Sequence, residues 1–112
     1  MEISNELIKV SYIVYTNNSQ KYIEKLLKSI LEQIDDTKDE LIIIDDLSED
    51  NTVPYIVSTI GYNFMNEEHY KFYINQQKKG KCESVKMGKQ IAKGDFKFII
   101  NKKGRVKIKW YR

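Results

Sequence analysis

The sequence predicts an α/β fold, a mostly parallel sheet that ends in a C-terminal antiparallel hairpin. Three observations carry this. Short runs of β-branched and aromatic residues alternate with segments of helical periodicity, the order that builds parallel strands joined by crossover helices. Leu41–Asp45 (LIIID) is apolar on both alternating faces, as an interior parallel strand is. Asn101–Gly104 (NKKG) is a tight turn between two strand-like runs, which reverses the chain at its end.

The elements follow in order. Leu7–Tyr15 (LIKVSYIVY) is bounded by polar stretches and predicts a buried strand. Tyr22, Ile23, Leu26, Leu27, Ile30, Leu31 and Ile34 recur at i, i+3/i+4 spacing and mark a helix, with Asn18 or Ser19 as its cap. After Leu41–Asp45 comes the polar turn Ser48–Asn51. A second helix starts near Thr52, with Pro54 in the first turn, where a missing N–H is harmless. Val53, Ile56 and Ile60 form its inner face. Gly61–Glu68 is a loop, Tyr70–Ile74 a strand and Asn75–Gly80 a second polar loop. Lys81–Lys93 predicts a helix with Val85, Ile91 and Ala92 inward and Gly94 as its C-cap. Phe96–Ile100 is a fourth strand. In Arg105–Tyr111, Val106, Ile108 and Trp110 alternate with Lys107 and Lys109, as in an antiparallel edge strand.

The length of 112 residues suits one compact domain, residues 1–112, with one core. Hydrophobic residues make up 41% of the chain, enough to exclude disorder. A lone cysteine, Cys82, excludes an internal disulfide and favours a reducing, cytoplasmic setting. The first ten residues have no apolar core of the kind a secretory signal needs. No apolar run approaches the roughly 20 residues of a membrane span. The net charge of +3 conceals a split: residues 1–60 carry five Lys against twelve Asp and Glu, and residues 61–112 carry fourteen Lys and Arg against four. Either the basic half faces an anionic partner, or the two halves attract each other across the fold.

In an open α/β sheet, ligands bind beyond the carboxyl ends of the strands. The loops to examine are therefore Tyr15–Ser19, Asp45–Thr52, Asn75–Gly80 and Asn101–Gly104. Here the sequence resembles a known family. Val10-Ser11-Tyr12-Ile13-Val14-Tyr15-Thr16-Asn17-Asn18, then Tyr22-Ile23 and Leu27 to Gln33, are similar to the opening of family-two GT-A glycosyltransferases. That family reads V-S-I-I-I-P-T-Y-N, then Y-L, then a helix ending S-x-L-x-Q. Leu41 to Thr52 resembles its strand followed by D-D-G-S-T-D-G-T. Gly80 and Ala92-Lys93-Gly94-Asp95-Phe96 resemble its G-x-x-x-A-x-N-x-G and A-x-G-D-Y segments.

The resemblance implies a three-layer, Rossmann-like domain, the nucleotide-binding half of the GT-A fold. It implies that Asp46 accepts a hydrogen bond from a nucleotide base, a charge-assisted bond to a base N–H. Thr16 and Asn18 would flank the same nucleotide, and Asp45 and Ser48 complete the set. Loop capping and Asx-turn formation compete with that role at Asp45, Ser48 and Asp50, and are favoured at Ser48 and Asp50.

The family places a D-x-D motif after its fourth strand to hold a divalent metal. Here those positions read Asn101-Lys102-Lys103. A hard cation needs oxygen ligands and negative charge, so neither Mn nor Mg is expected as a cofactor. Lys102, Lys103 and Arg105 either bind phosphates or a partner directly, or form a solvated hairpin edge. No residue is assigned a catalytic role. His69, alone in a polar loop, is expected to be solvated, and Cys82 is a small helix residue.

These features favour a degenerate glycosyltransferase-like module, without the D-x-D or an acceptor domain, that acts as a non-catalytic binding protein. It would retain weak binding of a UDP-type sugar nucleotide. Two alternatives stand. One is a small basic inhibitor or accessory protein, of phage or mobile-element type, that meets an acidic protein surface or nucleic acid through its C-terminal half. In it, Lys78, Lys79, Lys81, Lys86, Lys89 and Lys93, then Lys102 to Arg112, face the partner; on nucleic acid, basic residues interleaved with Tyr70, Phe72, Tyr73, Trp110 and Tyr111 would hold phosphates and stack bases, against which Phe72 and Trp110 fall on alternating strand positions that favour the core. The other is a minimal glycosyltransferase active with a partner chain.

Overall fold

A computed structural model describes residues 7–100. The expected hairpin, with Lys102, Lys103 and Arg105, lies outside the described residues. The element order is β1 (Val10–Thr16), α1 (Ile23–Leu31), β2 (Asp39–Asp45), α2 (Thr52–Ile60), a 3₁₀ helix (Gly61–Met65), β3 (Tyr70–Ile74), α3 (Gly80–Ile91) and β4 (Phe96–Ile100). The four strands form one parallel sheet in the order β3-β2-β1-β4. The α/β architecture expected from the sequence is therefore present.

Side chains on a strand alternate between faces, and the two faces of this sheet carry different loads. Val10, Tyr12 and Val14 of β1 and Leu41 and Ile43 of β2 pack on Ile23, Leu26, Leu27 and Ile30 of α1 and Ile56 and Ile60 of α2. The other face is thinner: Ile13, Ile42 and Ile44 meet Met87 and Ile91 of α3, and Ala92 just beyond it. α3 approaches that closely because Gly88 has no side chain; a Cβ there would lie 2.6 Å from Ile13 Cγ2.

Several local expectations are corrected. Neither Asn18 nor Ser19 caps α1 with its side chain; the cap position is Tyr22, whose N–H, with that of Ile23, donates to the Ser19 carbonyl. Both polar side chains are turned to other work, described below. α3 begins at Gly80, and its fully buried residues are Ser84 and Gly88, with Val85 only half-buried. Gly94 is not its C-cap. It presses against β1, where its N–H donates to Ser11 Oγ (2.8 Å) and a Cβ would lie 2.6 Å from the Ser11 backbone nitrogen. The 61–68 loop holds one 3₁₀ turn. His69 is buried, not solvated: its Nδ1 donates to the Asp39 carbonyl at 2.6 Å, and its own carbonyl accepts from Leu41 N–H.

Candidate functional site at the carboxyl ends of the strands

Strand order reverses beside β1: β2 and β3 extend to one side of it and β4 to the other. The crevice beyond the carboxyl ends at such a switch point is where open α/β sheets bind ligands. The register sets which groups meet there. Thr16 pairs with Asp45 across β1 and β2, so the Thr16 hydroxyl donates to Asp45 Oδ1 at 2.6 Å. The same carboxylate accepts from Ser48 Oγ (2.6 Å) and Ser48 N–H (2.8 Å), closing the turn after β2. Ser48 Oγ in turn accepts from Asn18 N–H, and Asn18 Oδ1 accepts from Glu49 N–H, both at 2.8 Å.

The loops after β1 and β2 are thus laced together. Asn17 Nδ2 donates to the Asp46 carbonyl (2.8 Å) and Ser19 N–H donates to Thr52 Oγ1 (2.7 Å). Asp50 accepts from Gln20 N–H and from both Thr52 N–H and Thr52 Oγ1. That is the capping role expected of Asp50, and Ser48 likewise serves the turn. The lacing explains why Asn18 and Ser19 do not cap α1. Two residues here sit at left-handed backbone angles, Asn18 (φ 51°) and Leu47 (φ 57°).

Asp46 joins a third loop to these two. Its Oδ1 accepts from Asn75 Nδ2 (2.9 Å) and Lys79 N–H (2.8 Å), and its Oδ2 accepts from Gly80 N–H (3.0 Å). It therefore holds the amino end of α3, where free N–H groups and the helix dipole favour an anion. Burial alone would raise its pKa, but the Asn75 amide and the two N–H groups, with Lys78 nearby, hold the carboxyl below its ordinary value. Tyr15 stands in the same field: half-burial and the charges of Asp46 and Asp45 raise its phenol.

Beside this network opens a cleft of about 550 Å³ with Tyr73, Asn75, Gln76, Gln77, Lys79 and Met87 in its wall. A second hollow, of about 390 Å³, follows the outer side of α1 from Gln20 to Glu32, away from the strand ends.

All five residues of the sequence-predicted nucleotide set, Thr16, Asn18, Asp45, Asp46 and Ser48, come together at this edge. Four of them form one chain of hydrogen bonds, and Asp46 joins it through its N–H, which donates to the Thr16 carbonyl (2.9 Å), and through Asn17. Asn17 and Asn75 belong to the network and are absent from that set. Asn75 is a lone amide after β3, and only its position opposite Asp46 reveals its role. Among the described residues no group of three His, Cys, Asp or Glu could hold a metal ion. Both strand-end carboxylates are also turned onto in-chain donors. The positions of the D-x-D, Asn101-Lys102-Lys103, lie outside the described residues.

A second polar cluster lies at the other end of the sheet, and sequence reading missed it. Glu40 is fully buried and accepts from Ser11 Oγ (2.5 Å), Lys71 Nζ (2.7 Å) and Lys93 N–H (2.6 Å). Burial would raise its pKa, but these three donors and the Lys71 charge hold it below the ordinary carboxylate range. Glu40 belongs to the acidic half of the sequence and Lys71 to the basic half, so this pair does bridge the two.

The comparisons agree with the fold. The family model of glycosyl transferase family 2 matches residues 11–102. No curated protein matches the chain. Among solved structures, residues 1–349 of S. aureus TarS in complex with UDP align with a TM-score of 0.69 and 29% identity, over 84% of this chain and 27% of that one. The complex of the same protein with UDP-GlcNAc aligns at 0.65 and 31%, over 84% and 26%. The mannosyltransferase PcManGT from Pyrobaculum calidifontis, in complex with GDP-Man and Mn²⁺, aligns at 0.63 and 21%, over 79% and 25%, and shares the fold. The chain spans about a quarter of the length of these relatives. No described helix is long and apolar enough to cross a membrane. With its D-D-x-S turn, its strand order and its match over most of its length, the chain belongs to glycosyl transferase family 2.

Proposed function

We propose that this chain binds the nucleoside diphosphate part of a UDP-type sugar nucleotide at the carboxyl ends of β1, β2 and β3, as a module that does not itself transfer the sugar. The observation that carries this is the convergence of Thr16, Asn18, Asp45, Asp46 and Ser48 at the strand ends, with Asp46 tied to Asn75 and Lys79 in the wall of the 550 Å³ cleft. A carboxylate offers about four acceptor positions. Three of those on Asp46 are filled from within, which leaves one for a base N–H. The inner groups Thr16, Asp45 and Ser48 hold the two loops in register. Asn18, exposed at the rim, keeps its amide N–H₂ for the ligand. Similarity to a structure solved with UDP supports the choice of nucleotide. The residue types at Asn101-Lys102-Lys103 speak against metal-assisted transfer.

Calorimetry checks this. UDP and UDP-GlcNAc are expected to bind in the submillimolar range, with GDP weaker and with no gain on adding Mn²⁺. Absence of heat at millimolar UDP would overturn it, and strong Mn²⁺ dependence would overturn its metal-free form.

One observation favours a second function, docking on a polyanion. Lys81, Lys86 and Lys89 are exposed on α3 and Lys93 follows it, and none of the four makes an ion pair among the described residues. Retention on heparin that falls steeply with salt is the expected result; elution at the salt expected of a net +3 chain counts against a dedicated surface.

A further inference from the structure

The turn after β2 contains an expensive residue with no internal reason for it. Leu47 has φ 57°, in the left-handed region. There a side chain with a Cβ is crowded by its own backbone, and glycine, or the short polar Asn and Asp, is the usual occupant. The left-handed residue of the loop after β1 is indeed an asparagine, Asn18. Leu47 is not held there by packing: it is 38% exposed and belongs to neither core cluster.

Its neighbours impose the conformation. The Asp46 carbonyl accepts from Asn17 Nδ2, Ser48 N–H donates to Asp45, and Glu49 N–H donates to Asn18 Oδ1, each at 2.8 Å. The peptide groups on both sides of Leu47 are pinned, so this turn forms whatever side chain stands there. A glycine would adopt it without strain. A residue strained, apolar and exposed is disfavoured in the free protein on each count. Strain of this kind persists at sites where it serves a ligand.

We propose that Leu47 is a positioning residue for the nucleobase, its side chain forming the apolar surface against which one face of the ring packs. This rests on the nucleotide-binding function proposed above. The surroundings suit such a ligand. A base has apolar faces and a polar edge; Leu47 directly follows Asp46, whose remaining acceptor position the proposed function offers to that edge, and its turn is tied to Asn17 and Asn18. The ring covers the 38% of Leu47 that is exposed in the free protein.

Leu47→Gly therefore has two effects of opposite sign. Relief of the left-handed strain raises Tm by about 4 °C. Loss of the apolar contact weakens UDP and uridine binding in parallel, each about fivefold. Leu47→Met keeps the apolar surface and binds UDP within about twofold of the parent. If the unaltered protein binds no UDP, the nucleotide-binding function fails, and this inference with it. If the unaltered protein binds UDP and Leu47→Gly binds it equally well, the role of Leu47 alone is overturned. A Tm for Leu47→Ala equal to or above that of Leu47→Gly would show that the left-handed angle is not strained and would overturn the argument from strain.

Discussion

Replacing Glu40 with alanine is expected to lower folding stability by about 3–5 kcal/mol, because it removes one member of a buried ion pair and leaves the other behind. Lys71, 15% exposed, keeps an ammonium with no counter-charge, and Ser11 Oγ and Lys93 N–H lose their acceptor. The loss is a large fraction of the roughly 5–15 kcal/mol that holds a domain together. It follows from the orphaned groups and not from the pair's own strength, since desolvation offsets much of the attraction between buried charges. The double variant Glu40→Leu with Lys71→Met should therefore recover most of it. Urea unfolding measures both. A single-variant loss under about 1 kcal/mol, the range of an exposed pair, would mean that water reaches Glu40. A double variant as unstable as the single one would mean that the pair is worth more than its apolar replacement.

Asp46→Asn should cost about 2–3 kcal/mol at neutral pH and flatten the acid limb of the stability curve. The native carboxylate faces donors only: Asn75 Nδ2, Lys79 N–H and Gly80 N–H. An asparagine has one acceptor oxygen, and its own N–H₂ would point at a donor. The pH effect has a definite sign. Asp46, Glu40 and Asp50 all have lowered carboxyl pKa values in the folded chain, despite burial that acts the other way. Each binds its proton more weakly when folded than when unfolded. Their contribution is present in full above the unfolded values, about pH 4–4.5, and is lost as pH falls through the folded ones. Below that window the Asp46→Asn variant and the parent should converge. Parallel curves across the window, followed by thermal melts at successive pH values, would remove Asp46 from the account. A parallel loss of UDP binding in the same variant would tie α3, the three loops and the nucleotide together.

The elements with strong local signatures lie where their residues predict. Tyr70–Ile74 and Phe96–Ile100 have the expected limits, each five residues of aromatic and β-branched side chains interrupted by one lysine and closed by polar residues. α2 begins at Thr52 with Pro54 in its first turn. β2 is longer than expected, because Asp39 and Glu40 read as the polar end of a loop. Nothing near Glu40 in the chain announces its partners. Lys71 is 31 residues away and Lys93 is 53 away. The expectation for His69 fails for the same reason, since its acceptor is the Asp39 carbonyl, 30 residues back.

The amino-acid sequence by itself determined the order of elements, the parallel sheet, the family and the loops that carry the site. Those depend on periodicity and turn chemistry, which act over a few neighbouring residues. Only the tertiary structure decided what each polar side chain does. Register places Thr16 against Asp45 and Ser11 against Glu40. The approach of α3 gives Asp46 two of its three donors and makes Gly88 a point of contact, and Gly94 packs on β1 instead of capping the helix. A buried polar group takes whatever partner the packing brings within about 3 Å, and that partner is set by the path of the chain through space, not by its neighbours in sequence.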